Sequence, residues 1–170
     1  MIENYGADSV RFFILSDSPP EKDVQWSEQG MIASFKFLQK FWILHKEIIN
    51  KNSENDKQEK MKFDDELEKF TNQLINKINL GLEKFSYNVI IANLHETYNF
   101  LKKRVTSVPS SDNLLNNYSK IIKLMLPITP HFASECLSDL NYNKVISWPE
   151  VNKEYLQEIE FNIVVQINGK

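Results

Sequence analysis

The chain has 170 residues, 42% of them hydrophobic, and a net charge of −3 with a pI near 5.7. That length can bury a core without disulfides or metal, and the acidic balance means that any nucleic-acid contact has to come from a local basic face. The single Cys136 can form no internal disulfide, which fits a reducing, cytoplasmic setting, and the chain shows neither an apolar run long enough for a membrane span nor a signal-peptide pattern.

Residues 5–16, YGADSVRFFILS, predict a short helix with Val10, Phe13 and Ile14 on one stripe. Pro19 and Pro20 end it, because proline clashes with the preceding turn and pushes its predecessor out of helical space. Trp26, in the loop that follows, reads as an apolar wedge between domains. Ser27 is placed to cap a second helix from about Glu28 to Asn50. There Met31, Phe35, Leu38, Trp42 and Ile49 recur at spacings of three, four or seven, and Phe37, Phe41, Leu44 and Ile48 widen the stripe. Only a strip through Lys36, Gln39, Lys40 and Glu47 is polar, as expected of a central bundle helix with one wet edge.

The run NKNSENDKQEKM, 50–61, predicts a solvated, mobile connection. A third helix follows with Phe63, Leu67, Phe70, Leu74, Ile78, Leu82 and Phe85 in step, its acids Asp64, Asp65, Glu66 and Glu68 set at the positive end of the helix dipole. Ser86 and Asn88 supply turn chemistry before a fourth helix marked by Ile91, Leu94, Tyr98, Leu101 and Val105, which ends in the basic triplet Lys102, Lys103 and Arg104. After the turn TSVPSSDN, Leu114, Tyr118, Ile121 and Met125 mark a fifth helix. Thr129 and Pro130 open a sixth, with Phe132, Cys136 and Leu140 on one face. VISWP at 145–149 and FNIVVQING at 161–169 read as extended segments, the second β-branched.

The expected fold is therefore mainly α, an antiparallel helical bundle over 28–140 with a short extended C-terminal segment. The flanking pieces, 1–27 and 141–170, read as a connection from another domain and as the linker and first strand of a further one. A lone strand cannot satisfy its own backbone, so the tail needs partners outside this sequence.

No metal site and no catalytic residue is expected. His45, His95 and His131 are far apart, and His131 with Cys136, five residues on, does not share a helix face. Nothing has the spacing of a phosphate loop or a nucleophile elbow, so no cofactor is assigned to these residues. Lys36 and Lys40 lie one turn apart on the wet strip, with Lys46 further along and Lys102, Lys103 and Arg104 ending the fourth helix; together they could form a ridge for a phosphate backbone. Aromatics do not interleave with them as stacking platforms require, so backbone rather than base contact is expected. The alternative from the same residues is a helical protein-interaction module without RNA binding; a small hydrolase lacks a convergent site.

The stretch YGADSVRFFILSDSPPEKDVQWSEQG resembles the segment of bacterial leucyl-tRNA synthetases, class I enzymes, that leaves the catalytic core and enters the anticodon-binding helical domain. Tyr5, Gly6, Ala7, Asp8, Val10 and Arg11, then Ser18, Pro19, Pro20, Glu21, Asp23, Trp26 and Ser27, keep step with that pattern. FLQKFWIL, FSYNVIIANLHE, LMLPITPHFASECL, WPEV and VVQINGK resemble later motifs of the family in order. The resemblance implies a tRNA-holding portion of a longer, monomeric, cytoplasmic enzyme that joins leucine to its tRNA with ATP and Mg²⁺. Its partners would be tRNA(Leu) and the rest of its own chain, and Arg11 and Trp26 would pack between domains. The family's His-Ile-Gly-His and Lys-Met-Ser-Lys-Ser signatures are absent, so the catalytic centre is expected elsewhere in the parent. Where the family tends to carry arginines in the second helix, this chain has Lys36, Lys40 and Ile43, which keeps charge at two positions but loses the bidentate fork.

Overall fold

The computed structural model describes residues 2–17, 19–50, 57–105, 112–141 and 147–156. Among them there is no strand. The elements are α1 (Ile2–Tyr5), α2 (Ala7–Asp17), α3 (Glu28–Ile49), α4 (Lys57–Glu83), α5 (Tyr87–Val105), α6 (Asp112–Met125), α7 (Pro130–Asp139) and a 3-10 turn, Lys153–Leu156.

The helix expected over 5–16 is divided. Gly6 adopts φ +77°, a left-handed conformation that glycine takes at no steric cost, and α1 stops there while α2 starts anew. Ser27 caps α3 as its sequence position suggests, its hydroxyl accepting the Gly30 N–H at 3.2 Å. Gly30 also lets α2 approach, since a Cβ there would stand 2.5 Å from the Phe13 ring. The buried face of α3 is turned from the one its strongest spacing suggests. Phe37, Leu38, Phe41, Leu44, His45 and Ile48 are buried, whereas Phe35, Trp42 and Ile49 are only half-buried.

α4 starts at Lys57, inside the run expected to be a connection; residues 51–56 and the Phe63 side chain lie outside the described residues. At 27 residues α4 is ~40 Å long. Leu67, Leu74 and Ile78 are buried in step, but Phe85 lies past the helix end. Its φ of +55° and the bond from the Ser86 N–H to the Gly81 carbonyl, 2.8 Å, make it the left-handed residue of a Schellman-type ending, and its ring is 59% exposed. In α6 the expected Leu114, Tyr118, Ile121 and Met125 are all buried.

Helix α3 packs against α2, α5 and α7, while α4 packs against α5, α6 and the 3-10 turn, and α6 against α7. One hydrophobic cluster runs through all of the long helices, and Phe12 of α2 belongs to it at 1% exposure. The segment expected as a connecting piece thus helps to close the core. Burying each such large side chain is worth about 1.5–3 kcal/mol. Residues 147–152 run without regular structure along α4: the Trp148 indole N–H donates to Asn79 Oδ1 and the Asn152 N–H to Asn72 Oδ1, each at 2.8 Å. The β-branched run 161–169 and residues 145 and 146 lie outside the described residues.

Candidate nucleic-acid interface

Four residues per turn-and-a-bit place Lys36, Lys40 and Glu47 on nearly one line of α3, with the apolar side chains that hold the helix in the core on the opposite side. Lys36 and Lys40 are exposed, and neither makes an ion pair among the described residues. Ile43, between Lys40 and Glu47, is 58% exposed.

The other expected cations are held differently. Lys46 Nζ sits 2.5 Å from Asp139 Oδ2 on α7 and 4.5 Å from the centre of the Trp42 ring. Lys102 Nζ reaches from α5 to both carboxylate oxygens of Glu47, at 2.7 and 2.8 Å. Lys103, next on α5, is exposed; the Arg104 side chain lies outside the described residues. The ridge expected from sequence is therefore two exposed lysines on α3 that continue into a stretch where acids alternate with cations.

Asp139 has a second holder. The fully buried His45 places Nε2 3.1 Å from Asp139 Oδ2 and Nδ1 3.1 Å from the Tyr118 hydroxyl. Burial pushes the His45 pKa down, against the pull of Asp139, which leaves the ring neutral at pH 7. Hydrogen bonds from Lys46 and then His45 hold the Asp139 carboxyl below the usual carboxylate value. The neutral ring thus donates from Nε2 to the carboxylate and accepts at Nδ1 from the tyrosine O–H. His45, expected to be structural, is a buried joint between α3, α6 and α7.

Arg11 and Asp8 explain the opening motif. Arg11 donates to the carbonyls of Pro127 (2.8 Å) and Ile128 (3.1 Å), just past the end of α6. The Asp8 carboxylate accepts the Phe132 N–H at 2.6 Å and pairs with His131 Nδ1 at 3.0 Å. Thr129 stands at the N-cap of α7, yet its hydroxyl turns back to the Met125 carbonyl, so Asp8 does the capping from α2. Trp26 is 50% exposed and meets Phe13 edge-on at 5.3 Å.

The remaining chemistry is structural. His131 pairs with Asp8 while Cys136 is buried, its thiol pushed up to about 12 by that burial, so the two form no nucleophile pair. Among the described residues no cluster of His, Cys, Asp and Glu could hold a metal, and no helix is long and apolar enough to cross a membrane. Glu68 is not at a helix start as expected. It lies eleven residues into α4, where Asn117 (2.6 Å) and Lys120 (3.1 Å) of α6 donate to it. Burial alone would raise its pKa, but these hydrogen bonds outweigh burial and lower it. Beside α3 opens an apolar groove of about 770 Å³, walled by Tyr5, Ala7, Phe35, Trp42, Ile43 and Phe132.

Sequence reasoning did not single out Asp8, Asp139 or Glu47. The bonds of Asp8 and Asp139 join residues 93 to 124 positions apart, and helical spacing carries no trace of them. Glu47 was visible on the wet strip, but its partner on α5 was not.

Three comparisons bear on this geometry. A family model described as the anticodon-binding domain of tRNA ligase matches residues 64–170, from within α4 onward. Curated relatives align over the whole chain: the leucine–tRNA ligases of Petrotoga mobilis at 34% identity and Fervidobacterium nodosum at 36% are each covered over 22% of their length, and that of Prochlorococcus marinus MIT 9515 at 32% over 20%. The chain thus spans about a fifth of the curated relatives it matches. Among solved structures, the ternary complex of Agrobacterium radiobacter K84 agnB2 LeuRS with tRNA and LeuAMS contains a chain with the same fold. The TM-score is 0.78 at 21% identity, covering 92% of this chain and 21% of that one.

Proposed function

The chain belongs to the family of anticodon-binding domains of tRNA ligases, and from that premise we propose that it is the tRNA-holding part of a leucine–tRNA ligase. The observation that carries the reading is the pair Lys36 and Lys40, exposed in line on α3 with no acid beside either. Such a line suits the sugar–phosphate backbone, which rewards positive charge without reading bases. The chemistry of joining leucine to tRNA(Leu), with its ATP and Mg²⁺, belongs to the remainder of the ligase. The parent works in the cytoplasm as a monomer.

The apolar groove and the exposed face of Trp26 suit a second contact, with the rest of the same ligase. The groove also favours a rival reading, a helical protein-interaction module that ignores RNA.

Titrating the 170-residue chain with a tRNA(Leu) transcript at several salt concentrations separates the two. The RNA reading expects weak binding, with log K falling by roughly 0.7–0.9 per phosphate contact per decade of salt. Changing Lys36 and Lys40 together to Glu should abolish it and leave the helical circular dichroism intact. Binding that survives the double change places the interface elsewhere; no binding at any salt leaves the protein module.

A further inference from the structure

We propose that Glu47 is an internal stand-in for an RNA phosphate, a carboxylate that occupies Lys102 until the nucleic acid takes its place. The inference rests on the RNA reading above and concerns the regulation of that same surface.

Three observations support it. Lys36, Lys40 and Glu47 stand at intervals of four and seven residues, which puts them on one helical line with rises of ~6 Å and ~10 Å. The Glu47 pair therefore brings the Lys102 ammonium from α5 to the end of the Lys36–Lys40 line, as a third cation in the row. Among the described residues Glu47 bonds only to Lys102, and both side chains are about two-fifths exposed, at 39% and 41%. An exposed pair of this kind contributes little to stability and is easily exchanged. A phosphate offers the same two-oxygen face to the ammonium and releases counterions as it binds.

The neighbouring pair sharpens the assignment. Asp139 on Lys46 has the geometry of a plug too, but it is also held by His45, whose other nitrogen is bound to the buried Tyr118. Displacing Asp139 would strand a buried N–H, at a cost that an RNA contact at the surface does not repay. Lys46 therefore stays paired and Lys102 exchanges. The bound surface has three cations, Lys36, Lys40 and Lys102, and Glu47 lowers its affinity for any polyanion that does not reach the third.

The test compares Glu47→Gln with Glu154→Gln, which removes the same charge from the exposed 3-10 turn packed on α4. Both are titrated with the tRNA(Leu) transcript across salt. Glu47→Gln should raise affinity about three- to fivefold at low salt and steepen the salt slope by roughly 0.7–0.9, one added contact. Adding Lys102→Gln should return the slope to its starting value. Glu154→Gln should leave the slope unchanged and move affinity far less. Equal slopes for Glu47→Gln and Glu154→Gln overturn the stand-in while leaving the RNA reading intact. Absence of salt-dependent binding in the unaltered chain removes both. A merely structural ion pair would shift the melting temperature without moving the salt slope.

Discussion

The two halves of α3 teach different lessons about charge. In the first half, Lys36 and Lys40 project from a helix whose opposite face is buried, and no acid stands against them. In the second half, Lys46 and Glu47 are neighbours in sequence but turn to opposite sides, one to Asp139 of α7 and the other to Lys102 of α5. The same residue type is a free surface charge at one end and a cross-brace at the other. A count of lysines on the wet strip cannot distinguish them, because what matters for a polyanion is the charge left after neighbouring helices have supplied their acids.

Several variants would break or sharpen that contrast. The largest effect is expected from Lys36→Glu with Lys40→Glu: a loss of tRNA affinity of about 100-fold at low salt, with no change in melting temperature, measured by titration and calorimetry. Comparable in energy but opposite in readout, His45→Ala should destabilise the fold by about 2–3 kcal/mol. It opens a cavity and strands the Tyr118 hydroxyl and Asp139. Chemical denaturation would show it, and tRNA affinity at fixed fold should barely move. Asp8→Ala should cost about 1 kcal/mol by uncapping α7 from across the bundle. Lys46→Met should have the smallest effect, under about 1 kcal/mol in stability, because its pair is partly exposed, and no loss in RNA affinity. A loss as large as that of the α3 lysines would erase the difference between the two halves.

The same contrast has a pH signature. Burial lowers the pKa values of His45 and His95 from 6.5, so the unfolded chain takes up protons that the folded chain refuses. Stability from these groups is fully present above pH 6.5 and declines as pH falls below it. A second decline follows near pH 4, where Asp139 and Glu68, both lowered in the folded state from 3.8 and 4.5, become protonated. Melting curves between pH 8 and pH 3 should therefore descend in two steps, and His45→Ala should shrink the first.

Much of the architecture was legible beforehand, for local reasons. Ser27 caps because its hydroxyl reaches only three residues along the chain, and Pro130 opens α7 because it lacks the N–H that position cannot use. The buried set of α6 follows its spacing because one face of that helix meets α4 and α7. Errors arose where packing overrode local preference. Lys57 begins a helix within a polar run, and α3 turns Phe37 and Phe41 inward while Trp42 is left beside a groove. Phe85 looked like the next step of an apolar stripe and proved to be the turn that ends it. Asp8 is the clearest case of a site seen but not understood: its motif was plain, whereas its task, capping a helix 124 positions away, exists only once the chain has folded.

By itself, the order of residues determined where most helices run, which of their faces are oily, and that positive charge is gathered on the wet edge of α3 and the end of α5. These follow from dihedral limits, capping and periodicity, all of which act within a turn or two of chain. Only tertiary structure decided which of those charges remain open to a partner. A charge is quenched by whatever stands within a few ångströms, and across α3, α5 and α7 those neighbours come from 55 and 93 positions away.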